Sequence, residues 1–163
     1  CSRRTVALEV LSVNVECKLG SVDGWEAFVH ELECNFHNWS VCYVAGASHV
    51  LDHSPESCMG HMIVRHDPGL GCWPMAWLIN KSFATKVRGV KWARRSGSLH
   101  IETNGSDPMC IIGAHIGHGD SLCEDLNVMT TLCKARTWGS KVLMVGDWNV
   151  DMLPAEATDP WAS

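Results

Sequence analysis

Residues 141–151 read Lys-Val-Leu-Met-Val-Gly-Asp-Trp-Asn-Val-Asp. Four apolar residues in a row, Val142 to Val145, end at Gly146. A short apolar run closed by a turn residue predicts a fully buried strand. Asp147 and Asn149 follow, with Trp148 between them. Residues two apart on an extended backbone face the same side. A carboxylate and a carboxamide are therefore expected to project together from the end of a buried strand. Strand ends are a usual place for a site in a layered α/β protein. The plain alternative is a strand followed by a polar turn, in which Asp147 caps the turn.

The rest of the chain supplies partners for that strand. Residues 5–14 are rich in β-branched side chains and predict a buried strand ending at Asn14-Val15-Glu16, again two polar residues two apart. Val22, Trp25, Phe28, Val29 and Leu32 recur at helical spacing, so residues 22–34 predict an amphipathic helix, with Asp23 and Glu26 at its start. A second buried strand spans 39–45 and ends at Gly46-Ala47-Ser48-His49. Turn signals at Ser54-Pro55 and Pro68-Gly69 enclose a short apolar patch at 62–64. Strands are expected at 75–79, 86–92 and 99–103, with Arg94-Arg95-Ser96-Gly97 as a turn between the last two. Asn104-Gly105 is a hairpin signal leading into the strand 109–115, which ends in His115. Ser121 and Glu124 form a capping box, and Leu122, Leu126 and Met129 continue it as a helix to about Arg136.

Strands outnumber helices and the middle ones are joined by short turns. That order predicts an α/β layered domain with a mixed sheet covered by helices. A length of 163 residues suits one domain, and 46% apolar with 19% charged residues is a globular composition. The net charge of −5 is unlike the basic balance common in nucleic-acid-binding domains, although Lys81, Lys86, Arg88, Lys91, Arg94 and Arg95 cluster locally. That cluster reads as a solvated hairpin surface, with phosphate contact as the alternative. Nine cysteines at irregular spacing suit reduced, buried thiols, and with no apolar run long enough to span a membrane an intracellular setting is expected. The first residue, Cys1, and the last four, Pro160-Trp161-Ala162-Ser163, read as cuts in a longer reading frame.

Four segments in order resemble the endonuclease/exonuclease/phosphatase superfamily. They are the strand ending Val13-Asn14-Val15-Glu16, the strand 39–45, the strand Ile111-Ile112-Gly113-Ala114-His115 with Ile116-Gly117-His118 after it, and Val145-Gly146-Asp147-Trp148-Asn149, similar to the family's Gly-Asp-Phe-Asn. Trp77-Leu78-Ile79-Asn80-Lys81-Ser82-Phe83 is similar to a further strand and loop. The nearest flavour is the endonuclease domain encoded by retrotransposons, which precedes a reverse transcriptase. The resemblance implies a four-layered α/β sandwich of two mixed sheets flanked by helices, over residues 5–153, incomplete at the C-terminus, with 154–163 as a tail. It implies hydrolysis of a phosphodiester in DNA or another nucleic acid, assisted by Mg²⁺ or Mn²⁺. Asn14 would orient the site or the phosphate, and Glu16 would contribute to metal binding. His115 would contact the phosphate, Asp147 would orient or deprotonate the attacking water, and Asn149 would hydrogen-bond the phosphate.

The sequence also departs from the family. A metal-binding Glu is expected just after Tyr43-Val44, where this chain has Ala45-Gly46-Ala47-Ser48-His49. Mg²⁺ prefers carboxylate oxygens, which neither Ser48 nor His49 offers. The family's closing Asp-His pair has no counterpart, since Asp159 has no His after it. These departures predict little or no Mg²⁺-dependent cleavage. They leave a catalytically silent form of the fold as one alternative. A small zinc-binding module is another, because Cys58, His61, His66 and Cys72 have the length of a zinc knuckle. Cys110, His115, His118 and Cys123 form a second group, although Cys110 and His115 lie on opposite faces of a strand by parity.

Overall fold

The computed structural model describes residues 8–16, 18–47, 56–66, 74–93, 95–102, 108–115 and 141–147. In chain order the elements are β1 (Val10–Asn14), α1 (Val22–Asn35), β2 (Val41–Ala45), β3 (Ser57–Cys58), β4 (His61–Arg65) and β5 (Met75–Ile79). A short 3-10 turn at Ala84–Lys86 precedes β6 (Val87–Ala93), β7 (Ser96–Ile101), β8 (Met109–His115) and β9 (Lys141–Asp147). They build two mixed sheets, ordered β1-β2-β5-β4-β3 and β6-β7-β8-β9. Each sheet contains one parallel pair, β1 with β2 and β8 with β9, and the remaining pairs are antiparallel.

Alternation along the strands divides the core in two. Val41, Tyr43 and Ala45 of β2 and Met75, Trp77 and Ile79 of β5 face the second sheet, meeting Leu99, Ile101 and Ile111. Cys42, Val44, Ala76 and Leu78 face the other way and pack under Trp25, Val29 and Leu32 of α1. A sheet buried on both faces accounts for unbroken apolar strands such as Val41–Ala45. The result is an α/β sandwich in which α1, the first sheet and the second sheet are stacked layers. The helix expected at 121–136 lies outside the described residues. No helix among the described residues is long and apolar enough to cross a membrane.

Stacking sets the two parallel pairs against each other, β1 beside β9 and β2 beside β8. The C-terminal ends of these four strands are Asn14, Ala45, Asp147 and His115. They open at the same end of the sandwich, where open α/β sheets place ligand sites.

Several sequence expectations change in the structure. β9 is not fully buried: Val142 is 42% exposed and Leu143 39%. Among the described residues it is an edge strand, paired in its sheet with β8 alone, so its flanks lack the cover an interior strand receives. The cap of α1 is Ser21, whose Oγ accepts from the Gly24 amide at 3.1 Å; Asp23 instead sits in the first turn, where a carboxylate favours the helix dipole. Ser96 and Gly97, expected in a turn, belong to β7. The apolar patch at 62–64 is the centre of β4, which pairs with β3 in a hairpin that composition alone concealed.

One buried polar contact fixes α1 to the edge of the first sheet. His61 is 1% exposed, and its Nδ1 accepts the Lys81 amide at 3.0 Å. The proton therefore sits on Nε2, which donates to Glu33 Oε1 at 2.8 Å. Both ring nitrogens are engaged, so His61 offers no lone pair to zinc, and Cys72 of the same group lies outside the described residues. Among the described residues no three His, Cys, Asp or Glu side chains cluster as metal ligands.

Two predictions follow from packing and charge. Gly146 has φ +150°, and a Cβ there would stand 1.9 Å from the Ala114 carbonyl oxygen, a backbone atom that cannot turn aside. Gly146→Ala is expected to destabilise by roughly 1–3 kcal/mol or more. Gly89→Ala, with no atom within 4 Å of the new Cβ, should stay within about 1 kcal/mol of the parent in urea melts. The hydrogen bond from His61 holds the Glu33 carboxyl below the usual carboxylate range. A depressed folded value means that its stabilisation is present above the unfolded value and is lost as pH falls through the folded one. The stability gap between the parent and Glu33→Gln should accordingly be full near neutrality and narrow on acidification.

Candidate functional site

The site forms where the ends of β1 and β9 touch. Asn14 Oδ1 accepts the Glu16 amide at 3.0 Å, which closes a local turn and fixes the carboxamide orientation. Its Nδ2 then points away from its own chain and donates to Asp147 Oδ2 at 2.6 Å. The acceptor-only carboxylate and the donor end of the amide are matched. This bond joins residues 133 positions apart and ties an edge strand of one sheet to an edge strand of the other.

His115 and Asp147 are register partners on the parallel strands β8 and β9. His115 Nδ1 lies 3.8 Å from the same Asp147 Oδ2. The imidazole is 7% exposed and the carboxylate 24%, so the pair is shielded without being sealed from solvent. The His115 amide donates to the Arg95 carbonyl at 2.9 Å, which anchors the end of β8 to the β6–β7 turn. Asn14, His115 and Asp147 are thus brought together from three strands and two sheets. Asn149, the fourth expected member, lies outside the described residues.

Glu16 goes elsewhere. The turn closed by Asn14 gives it φ +49°, which breaks the strand alternation that would have aligned the two side chains. Its carboxylate pairs with Lys18 Nζ at 3.0 Å and is 71% exposed. Beside Asn14, the end of β2 presents Ala45, Gly46 and Ala47. Ala47 is buried, its amide bonded to the Pro74 carbonyl and its own carbonyl to the Leu19 amide. Asp147 is therefore the carboxylate that the described residues bring to this corner. One carboxylate with neutral neighbours is a poor donor set for Mg²⁺ or Mn²⁺. Among the described residues, the side chains at this corner do not fit the metal that the family resemblance implies.

Tyr43 carries the floor of the site and was not foreseen from sequence. It is the sole tyrosine of the chain, set at an inward position of an aliphatic strand. Its ring packs against Trp77 with centroids 5.1 Å apart and planes tilted by 56°, and its hydroxyl donates to Met75 Sδ at 2.8 Å. Burial, reinforced by the negative charge of Asp147, pushes its phenol well above the usual range, so it stays a neutral phenol. Gly113 of β8 leaves room for this ring: a Cβ there would come within 2.2 Å of it. The fit lets β8 approach the first sheet closely, two residues before His115.

A groove of about 650 Å³ opens on the far side of β1, between Val13 and the Phe28, Leu32 and Phe36 face of α1. It reaches Asn14 and Glu16 but has neither His115 nor Asp147 in its walls.

No family model and no curated protein matches the sequence. Solved structures do share the architecture. TDP2 from Caenorhabditis elegans aligns with a TM-score of 0.62 at 16% identity, over 88% of this chain and 47% of that one. TDP2 from D. rerio, complexed with single strand DNA product, aligns with a TM-score of 0.59 at 13% identity, over 88% and 61%. An endonuclease/exonuclease/phosphatase family protein from Leptotrichia buccalis gives 0.56 at 17% identity, over 89% and 67%. This chain spans about half of the first of these and under two thirds of the second. At such identities the likeness shows the fold alone, an α/β sandwich of two mixed sheets.

The Asn14–Asp147 contact makes a charge prediction. Asn14→Ala should lower stability by roughly 1–3 kcal/mol, because it removes a bond to a charged carboxylate and the bond to the Glu16 amide. Asn14→Asp should cost more at neutral pH, because two carboxylates then share the corner. Acid protonates one of them, so the Asn14→Asp deficit should shrink as pH falls. A deficit independent of pH in chemical denaturation would contradict the contact.

Proposed function

We propose that the Asn14–His115–Asp147 corner binds a phosphodiester of a nucleic acid and that its hydrolytic power is weak. The observation that carries this reading is the 2.6 Å bond from Asn14 to Asp147 beside His115, at the shared C-terminal end of both parallel strand pairs. Neutral donors such as Asn and His hold phosphate oxygens without adding negative charge. In this reading His115 donates to the phosphoryl oxygens and Asn149 completes their cradle. Asn14 holds Asp147 in place. Asp147 orients or deprotonates a water on the phosphorus. The shared fold and the DNA product bound to the D. rerio protein support a nucleic-acid ligand.

Weak hydrolysis is supported by the donor set. The resemblance calls for Mg²⁺ or Mn²⁺ to neutralise the developing phosphoryl charge. The end of β2 supplies alkyl groups and backbone at Ala45, Gly46 and Ala47, and Glu16 is turned toward Lys18. Loss of one such stabilising group costs several kcal/mol in the transition state. A phosphate-binding corner with little turnover accounts for both halves of that geometry. The proposal includes the retrotransposon-type setting, with a reverse-transcriptase region in a longer polypeptide, on the strength of the order of the four segments. It also includes a reducing intracellular setting, supported by the free thiols of Cys34, Cys42 and Cys58 among the described residues. Burial pushes the Cys42 thiol up to about 12, so it stays protonated and inert.

The test uses a labelled single-stranded DNA oligonucleotide and an abasic or nicked duplex. Cleavage in Mg²⁺ or Mn²⁺ should remain near the protein-free rate. Binding should weaken about tenfold in His115→Ala, a change of about 1.4 kcal/mol. Robust metal-dependent turnover abolished by Asp147→Ala would refute weak hydrolysis while supporting the site. Binding unchanged by both Asn14→Ala and His115→Ala would remove the site itself.

A further inference from the structure

We propose that His30 and Cys34, on the outer face of α1, form a two-ligand clamp for a divalent cation that takes sulfur and imidazole donors, Zn²⁺ above all. The inference is independent of the Asn14–His115–Asp147 corner, which neither residue touches. His30 and Cys34 are four positions apart in a helix, so they are neighbours on one face. At 100° per residue that face is turned away from the one that carries Trp25, Val29 and Leu32 into the core. Both side chains are exposed, and Cys34 is a free thiol. His30 Nε2 and Cys34 Sγ stand 3.7 Å apart.

That spacing matches the bite of a tetrahedral cation. A Zn–S bond of about 2.3 Å and a Zn–N bond of about 2.0 Å, at the tetrahedral angle, set the two donor atoms about 3.6 Å apart. The helix therefore presents both donors at nearly the required separation before any metal arrives. On binding, the Cys34 thiol releases its proton to solvent and ligates as a thiolate. His30 ligates through the Nε2 lone pair and keeps its proton on Nδ1. Sulfur and imidazole suit Zn²⁺, whereas Mg²⁺ and Mn²⁺ prefer oxygen donors.

The surroundings hold the clamp in place and favour positive charge. Cys34 is in the last turn of α1, where unpaired carbonyls would let the helix fray. Here the Phe36 amide donates to the Leu32 carbonyl at 2.8 Å, and Asn35 Nδ2 donates to the Glu31 carbonyl at 2.8 Å. Glu33 adjoins the pair as a carboxylate. The His61 hydrogen bond above all, and then the nearby charges of His61, Lys81 and His30, hold its carboxyl below the usual range against the effect of burial. A thiolate and a neutral imidazole leave one positive charge on Zn²⁺, which that carboxylate offsets. No group of three ligands exists among the described residues. Two coordination positions are thus left to water, and the clamp binds more weakly than a four-ligand structural site.

The test is the alkylation rate of each cysteine in the reduced full chain, followed by mass spectrometry of its peptides, with and without added Zn²⁺. A metal-bound thiolate is a poorer nucleophile than a free one, so Zn²⁺ should slow alkylation of Cys34 about tenfold. The same concentration of Mg²⁺ should leave the rate unchanged. His30→Ala should raise the Zn²⁺ concentration needed for protection by about tenfold or more. His30 is exposed and Ala is the better helix former, so α1 persists in this variant. His37→Ala removes a nearby exposed imidazole that follows the helix and should keep the protection of the parent. No protection of Cys34 in the parent at millimolar Zn²⁺, protection unchanged in His30→Ala, or an equal loss in His37→Ala would each overturn the clamp.

Discussion

The hydrogen bond from Asn14 to Asp147 is the point at which the two sheets become one site. Each residue ends an edge strand, and neither strand borders the other within a sheet. Apolar packing between β1 and β9 is by itself indifferent to small shifts. A charge-assisted bond of 2.6 Å is directional. It sets where the Asp147 carboxylate stands relative to His115, and the local turn at Glu16 sets where the Asn14 amide points. The same turn, by giving Glu16 φ +49°, sends the other nearby carboxylate to Lys18. One backbone choice thus brings the Asn14 amide to Asp147 and turns Glu16 away from both.

Beneath the corner the sheets interlock through rings and glycines. Tyr43 of the first sheet lies against Gly113 of the second, and Trp92 lies against its own sheet at Gly97. Trp77 packs at a tilt against Tyr43, and His66 against Trp92. Aromatic rings therefore fill the space between the two sheets below the end where β1, β8 and β9 meet. Such packing is close and unforgiving. It suits a site whose polar groups must hold their spacing although they come from strands far apart in sequence.

Much of this was legible in the sequence because local pattern and tertiary role agreed. The periodicity of Val22, Trp25, Val29 and Leu32 marked α1, and the apolar runs at 75–79 and 109–115 marked β5 and β8 to the residue. Asn14, His115 and Asp147 were legible because each ends an apolar run. Pattern failed where the partner decided the outcome. Val142 to Val145 looks like an interior strand, yet its exposure depends on what borders it. Strand alternation paired Glu16 with Asn14, and a side-chain hydrogen bond overrode it. His61 looked like a zinc ligand by spacing, but Glu33 and Lys81, distant in sequence, occupy both of its nitrogens. Tyr43 could have been suspected as a lone polar ring in an aliphatic strand. Its place under Asp147 required the second sheet.

The central claim is that ligand phosphate meets this chain at the joined ends of β1, β8 and β9. Nuclear magnetic resonance tests it most directly, by titrating a short single-stranded oligonucleotide while following the Asn14 side-chain amide, the His115 ring and the Gly146 backbone amide. The account predicts that these signals shift together and saturably, ahead of those from α1. Shifts confined to Val13, Phe28 and Leu32, which border the groove between β1 and α1, would contradict it, as would no shift at the corner.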